Sequence, residues 1–533
     1  MLTLPAMNSV TGILGVALPT PLHHCFDYLP PPDCAISAIE PGMRLRVPFG
    51  RGTRVGVVVD KKAHSEVAAH RLRHALAVLD TSPLVDETML TLLRWAADYY
   101  HHPLGEVIFG SLPTLLRTGR PAHTATRRRY RLTPQGLSAD PAELSRAPRQ
   151  AALLALLQRH VRGLESAALA SVGGDWRRAL RALGKRGWIM EEEVAAGAPE
   201  DRHDASAAKR RPHPLHRDQA EATRQICDSL GRFQACLLEG ITGSGKTEVY
   251  LHIIETVVAR GLQALVLVPE IGLTPQLVER FRTRLGLPLA VFHSGLSDRQ
   301  RLDAWLAARA GKAPVVIGTR SAVFTPLHRP GVIIIDEEHD ASFKQQEGFR
   351  YHARDIAVMR ARQAAVPVVL GSATPSLESL HNARGGRYRH LRLHTRAGGA
   401  SPPRMTLIDV RGSRLEHGLS PPLLEAVAEH LQARRQVLLF LNRRGYAPTL
   451  YCQQCGWVAR CRRCDAHLVL HRGEDLLRCH HCDGRQAPPA CCPGCGNEQT
   501  LHPLGQGTQR VEAALAERFP GTDIVRIDRD STR

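Results

Sequence analysis

Three groups of residues in this chain have the types and spacing that chemistry requires. The first is GITGSGKT at 240–247, a full match to GxxxxGK[ST]. In such a loop Gly240, Gly243 and Gly245, with Ser244 among them, let backbone N–H groups approach phosphate oxygens. The helix that follows adds its positive end. Lys246 is placed for the β/γ-phosphates of ATP and Thr247 for Mg²⁺. The competing reading is a chance glycine-rich turn. Composition argues against it: of 70 cationic residues 63 are Arg and 7 are Lys, yet lysine stands where the motif demands it.

The second group is Asp336-Glu337-Glu338-His339, directly after the apolar run Val332–Ile335. A carboxylate at the end of a buried strand can hold Mg²⁺, and a neighbour can polarise the attacking water. Asp336 is assigned to the metal and Glu337 to the water. The third group holds nine of the 13 cysteines, all between 452 and 495. They form CxxC pairs at Cys452/Cys455, Cys461/Cys464, Cys479/Cys482 and Cys492/Cys495, separated by five, fourteen and nine residues. Two such knuckles close one tetrahedral thiolate site, so eight ligands make two Zn²⁺. The fourteen-residue gap is close to a zinc-ribbon spacing, so the second and third knuckles pair and the first and fourth form the outer site. Cys491 is the spare. A redox CxxC is the alternative, and four knuckles are too many for it.

The elements that position these groups read as a multidomain α/β chain. Residues 1–115 hold strand-like runs at Arg44–Pro48 and Val55–Asp60, then a helical pattern over Asp86–Tyr100. Residues 116–197 open on the basic tract 126–131. Helical patterns follow at Arg149–His160 and Asp175–Arg186, and the stretch closes on a strand, the order of a winged helix. Residues 198–214 are polar and proline-flanked, a linker. From 215 to 395, apolar strands at Ala264–Val268, Val315–Ile317, Val332–Ile335 and Val366–Leu370 alternate with helices. That alternation predicts a parallel sheet covered on both faces. A break at 396–403 precedes a second α/β unit over 396–533, with a strand expected at Val437–Leu441 and the cysteine block, 450–498, inserted.

Composition narrows the partners. The 533 residues carry a formal charge of +19, which favours a polyanion, most often nucleic acid. With 43% hydrophobic residues and no apolar run near the ~18–20 residues of a span, neither a disordered chain nor a membrane protein fits. The N-terminal stretch lacks a basic region and is broken by Pro5 and Asn8, so it reads as the lead-in to a strand. A cytoplasmic protein, nucleoid-associated and monomeric, is expected.

Further motifs carry a resemblance. LVPEIGLTPQ (267–276), GTRSAVF (318–324), DEEH (336–339), GSATPS (371–376) and FLNRRG (440–445) stand in the order of superfamily 2 helicases. The strings HSGLSD (293–298), DEEHDASFKQQEGFRYHARD (336–355) and CGWVARCRRCD (455–465), with PLHHCFDYLPP (21–31), RVPFG (46–50) and WAADYYHHPLGEV (95–107), resemble the primosomal replication-restart helicases over essentially the whole chain.

That resemblance implies two RecA-like motor lobes and an N-terminal domain that binds DNA 3′ ends. It also implies 3′→5′ unwinding at abandoned forks and D-loops, with primosome proteins and single-strand-binding protein as partners. Gln219 matches the glutamine that reads adenine. Phe343, Lys344, Phe349 and Tyr351 match an aromatic-rich loop that couples single-stranded DNA to hydrolysis; taken alone, such a loop is ordinary core packing. Phe26, Asp27, Gly50 and Arg73 match the positions that hold a 3′-terminal nucleotide, with Arg73 where the family usually has Lys. The family's nested cysteine pairing agrees with the spacing. Against the family's pattern, the second lobe stops early and lacks a QxxGRxGR motif, whose arginine is worth ~10³–10⁵ in rate. The alternative to an active helicase is therefore an ATP-binding fork-recognition scaffold with an inactive motor. An RNA helicase is a third reading.

Overall fold

The computed structural model describes residues 12–123, 125–160, 163–169, 172–196, 214–270, 272–396, 403–411, 415–416, 418–441, 449–464, 466–471, 476–479, 481–504 and 508–527. The lead-in at 1–11, the linker expected over 198–214 except Pro214, the break at 397–402 and the end of the FLNRRG string lie outside these residues. The chain forms two compact units, Met1–Ser401 and Pro402–Arg533.

The first unit opens with six strands, of which β4 carries the longest β-branched run: β1 (Ile13–Ala17), β2 (Phe26–Leu29), β3 (Arg44–Phe49), β4 (Gly52–Lys62), β5 (Arg73–His74) and β6 (Ala77–Val78). Their order is β5-β2-β1-β4-β3-β6. Two helices follow, α1 (Glu87–Tyr99) and α2 (Leu104–Ser111). Asp86 caps α1 by accepting from the Met89 N–H at 2.8 Å. The buried face of α1 carries Leu90, Leu92 and Leu93, each worth roughly 1.5–3 kcal/mol.

Next come β7 (Ala125–Leu132), α3 (Pro148–Arg159), β8 (Leu164–Glu165), α4 (Trp176–Lys185) and β9 (Ile189–Ala196), with the strands antiparallel in the order β8-β7-β9. Leu153, Leu157, Trp176 and Leu183 form its core. The basic tract lies in β7, where Arg128, Arg129 and Arg131 face Glu193, Glu192 and Met190 of β9. Arg128 pairs with Glu191 at 3.0 Å, so part of this charge is balanced across the strand pair.

The motor sheet has seven strands: β10 (Gln234–Gly240), β11 (Gln263–Leu267), β12 (Leu289–Phe292), β13 (Val315–Gly318), β14 (Pro330–Asp336), β15 (Pro367–Ser372) and β16 (Arg389–Leu393). Their order is β12-β13-β11-β14-β15-β10-β16, all pairs parallel. Alternate residues supply the two faces. Leu237, Leu265 and Ile333 enter one core, and Leu238, Val266 and Ile334 the other. The first of these cores is continuous with Leu90, Leu93 and Ile108 of α1 and α2. Helices α5 (Arg217–Cys227), α6 (Lys246–Ala259), α7 (Pro275–Leu285), α8 (Asp298–Arg309), α9 (Ala353–Gln363) and α10 (Leu377–Arg384) complete the layer.

In the second unit, α11 (Pro421–Gln432) and α12 (Thr508–Arg518) meet through Leu424 and Val511. Between them in sequence lie β17 (Thr449–Cys452), β18 (Val469–His471), β19 (Leu476–Arg478), β20 (Arg485–Gln486) and β21 (Leu501–Leu504), paired antiparallel. The strand expected at Val437–Leu441 is not formed. Leu438 and Phe440 are more than 80% exposed, because no described strand lies beside them to share hydrogen bonds. Leu407 and Val525 are exposed in the same way. Among the described residues, no helix is long and apolar enough to cross a membrane.

Candidate nucleotide site, DNA-end pocket and metal clusters

The P-loop leaves the end of β10 and the acidic tetrad leaves the end of β14, with β15 between them. Gly243 and Gly245 take φ of 83° and 80°, which the loop requires. At Gly240 a Cβ would meet Ser244 Oγ at 2.5 Å. Lys246 opens α6, and its Nζ donates to Gly240 O at 2.9 Å and lies 3.7 Å from Glu337 Oε1. Ser244 Oγ is buried without a hydrogen-bond partner among the described residues, an open polar position inside the cradle that suits a phosphate oxygen. Gln219 uses its amide on the chain itself. Its Nε2 donates to Ser244 O at 2.8 Å and its Oε1 accepts from the His216 N–H. Reading adenine with that amide requires exchanging one of these bonds.

Asp336 accepts a hydrogen bond from the Tyr250 hydroxyl at 3.0 Å. Burial, then the neighbouring Glu337 charge, pushes its carboxyl above the ordinary range. Tyr250 was not singled out from sequence. The signal available was its place one helical turn after Lys246, on the buried side of α6. Glu337 has φ of 47°, a strained value for a non-glycine residue. His339 Nδ1 lies 2.7 Å from Ser372 Oγ, which ties the tetrad to the end of β15.

Glu338 is fully buried. It accepts from the Ser376 N–H at 2.7 Å, from the Ser376 and Ser379 hydroxyls at 2.9 Å each, and from Arg354 Nη1 at 3.1 Å. Arg354 follows the aromatic loop directly. In that loop Phe343, Phe349 and Tyr351 are buried in the motor core, not displayed. Phe349 meets Tyr100 edge-on at 5.8 Å, the His352 N–H bonds the Tyr100 hydroxyl at 3.1 Å, and Lys344 Nζ sits 5.3 Å over the Tyr100 ring. Base stacking on these three rings is thus not available in this conformation. The loop instead joins the N-terminal domain, through Tyr100, to Arg354 and Glu338 beside the carboxylate pair. The exposed crest is Gln346, Glu347, Gly348 and Arg350.

Phe26, Asp27, Gly50 and Arg73 come together in a cavity of about 720 Å³ in the N-terminal sheet, also lined by His24, Phe49, Lys62 and Arg71. Phe26 packs edge-on against Phe49 at 5.2 Å and near His24 at 4.9 Å. Asp27 is engaged by Lys62 at 2.8 Å and by Ser65 at 2.6 Å. Gly50 takes φ of 60° with open space where a Cβ would stand.

The cysteines form two clusters, Cys452/Cys455/Cys492/Cys495 and Cys461/Cys464/Cys479/Cys482. Sulfur pairs lie 3.5–3.7 Å apart. Four thiolates at ~2.3 Å from one tetrahedral ion lie about 3.8 Å apart, so the sulfurs fit Zn²⁺. The Arg463 and Gly494 N–H groups donate to Cys461 and Cys492 sulfur. The Arg463 donation leads the influences that pull the Cys461 thiol down to about 6. Cys491 is exposed and outside both clusters.

A family model of the PriA 3′ DNA-binding domain matches residues 15–113, one of the DEAD/DEAH box helicases matches 216–383, and one of the PriA helicase Cys-rich region matches 461–486. P-loop, acidic tetrad and DNA-binding domain in one chain define a DNA helicase and ATPase of the DEAD/DEAH type. The replication restart protein PriA of Haemophilus influenzae is 43% identical over 528 residues, covering 98% of this chain and 70% of that protein. That of Bacillus subtilis is 34% identical over 577 residues, covering 95% and 71%. The chain belongs to the replication restart protein PriA family.

Proposed function

We propose that this protein is an ATP-dependent 3′→5′ DNA helicase of replication restart. It recognises forks and D-loops, grips the nascent 3′ end, and opens duplex so that primosome proteins and single-strand-binding protein can reload the replicative helicase. One observation carries the reading: the compact unit that holds the P-loop and the Asp336–Glu337 pair also holds a cavity with aromatic and cationic walls and an acidic acceptor. An aromatic platform, phosphate-seeking cations and an acceptor are what a DNA 3′ end presents itself to.

Geometry supports the following roles. Backbone N–H groups of 240–247 and Ser244 Oγ cradle the phosphates, and Lys246 leaves Gly240 O to meet them. Thr247 and Asp336 would hold Mg²⁺, with Tyr250 fixing the Asp336 carboxylate. The ion, when bound, offsets charge on the β- and γ-phosphates. Glu337 orients the attacking water, and His339 links that region to Ser372. The eight clustered cysteines would hold two Zn²⁺ in closed structural sites.

The test is ATP hydrolysis at fixed salt with forked DNA, with duplex lacking an end, and with RNA. Fork DNA with a 3′ end at the branch is expected to stimulate most. Lys246→Ala is expected to remove hydrolysis by roughly 10³-fold or more while fork binding persists. Equal stimulation by RNA, or turnover that survives Lys246→Ala, would count against the reading.

A further inference from the structure

We infer that Lys62, with Ser65, is a specificity-determining residue of the DNA-end pocket. The two hold Asp27 so that it accepts a hydrogen bond from a free 3′-hydroxyl. The inference rests on the 3′-end reading above.

Asp27 lies on β2 and Lys62 ends β4, with β1 between them in the sheet. A salt bridge across an intervening strand needs a low point in that strand. Gly15 of β1 supplies it: Gly15 sits opposite Asp27 on one side and Asp60 on the other, and a Cβ there would collide with Asp60 Oδ1 and lie 3.3 Å from Lys62 Cε. The side chains of Asp60 and Lys62 share the space this glycine leaves, and Lys62 reaches Asp27 Oδ1 at 2.8 Å. Ser65, three residues on, donates to the other oxygen, Oδ2, at 2.6 Å.

The choice of lysine matters in a chain with 63 arginines and 7 lysines. Nearby, Arg44 shows what a guanidinium does to an aspartate. Its Nε and Nη2 take both oxygens of Asp80, at 3.0 Å to one and 2.7 Å to the other. A compact ammonium binds one oxygen and leaves the second to Ser65. Each carboxylate oxygen retains a further lone pair, so an acceptor direction stays open toward the cavity. Lys62 and Asp27 are 36% and 10% exposed in their side chains, so the acceptor is shielded while the cation meets the incoming polyanion. The hydrogen bond to Asp27 also holds the Lys62 ammonium above its ordinary range, which keeps it charged. Phe26 and Arg73 line the same cavity, in place for the base and the terminal phosphodiester.

The experiment measures binding of the full chain to labelled DNA ending in a 3′-hydroxyl, a 3′-deoxy or a 3′-phosphate terminus. The parent protein is expected to prefer hydroxyl over deoxy by about tenfold, the worth of one hydrogen bond to a charged acceptor. Lys62→Met at unchanged melting temperature is expected to shrink that ratio to about twofold or less, because Asp27 is no longer fixed. Ser65→Ala is expected to shrink it in the same direction and serves as the reading should Lys62→Met fail to fold. A parent ratio of about ten that persists in both variants would overturn the role of Lys62 and Ser65. A parent ratio of one would instead overturn the 3′-end reading itself, so the two failures are distinct.

Discussion

At the scale of single residues, a raised carboxyl and a strained backbone stand side by side at the end of β14. Asp336 is mostly buried beside Glu337, and both effects lift its carboxyl above the ordinary range. For a carboxyl raised in the folded state, the fold is weakened as pH rises from the ordinary value near 4 through the raised one, and the full loss persists above it. In metal-free buffer Asp336→Asn is therefore expected to melt higher than the parent at neutral pH. The Tyr250 donation still finds an acceptor, and hydrolysis is lost. That advantage should fade as pH falls toward 4. Parallel melting curves from pH 4 to 8 test this; a variant less stable at pH 7, or a pH-independent gain, would refute it. Glu337, held at positive φ two residues before the His339–Ser372 contact, has the same character of local strain kept by surrounding bonds.

At the scale of elements, the loop between β14 and α9 decides how the parts of the first unit communicate. Its aromatic rings are core, its crest is polar, Phe349 and His352 touch Tyr100, and its Glu338 is held by Arg354 of α9. Tyr100→Ala removes the ring under Lys344, the edge contact to Phe349 and the hydroxyl that receives the His352 N–H. A half-buried aromatic lost in this way costs ~1–3 kcal/mol of stability. The expected functional outcome is a larger loss of DNA-stimulated than of DNA-independent ATP hydrolysis. Tyr100→Phe, which loses only the hydroxyl, should retain most of the stimulation. Equal losses in stimulated and unstimulated rates for Tyr100→Ala would show that the contact is only structural. The pairing of β7 with β9 teaches a related point. A tract of arginines reads as free positive charge in one dimension, yet three glutamates lie opposite it in the folded sheet.

At the scale of the whole molecule, the two units differ in what holds them. The first is built on a seven-stranded parallel sheet with apolar cores on both faces. The second has small cores and relies on cysteine clusters, and its segments at Leu407, Leu438, Phe440 and Val525 leave large apolar side chains in water. Structural zinc contributes ~10–16 kcal/mol to folding of small modules, so a chelator should release far more than a surface change would. Limited proteolysis is expected to cut Pro402–Arg533 before the motor sheet of 234–393, and a strong chelator to speed cleavage within 449–504 without affecting that sheet. Equal cleavage of the sheet and the second unit, or no effect of chelator, would contradict this.

Much of this protein is dictated by local order along the chain. The P-loop, the strand leading to Asp336 and the four CxxC knuckles are contiguous patterns whose chemistry is set by neighbours within a few residues, so types and spacing reveal them. The nested cysteine clusters follow from loop lengths alone, and the parallel sheet from continuous apolar runs that need cover on both faces. Contacts between distant segments are different, because no spacing encodes them. Tyr250 reaching Asp336, Glu338 gathering Arg354 with two serines, Tyr100 seating the aromatic loop, and Lys62 crossing Gly15 to Asp27 each join residues from separate elements. The strand expected at Val437–Leu441 shows the same limit from the other side: apolar patterning can propose a strand, but only a neighbouring strand supplies the hydrogen bonds that make one. Sequence thus determined which chemistry the chain carries. Tertiary structure decided which side chains aim it, since that depends on which elements the sheet order brings side by side.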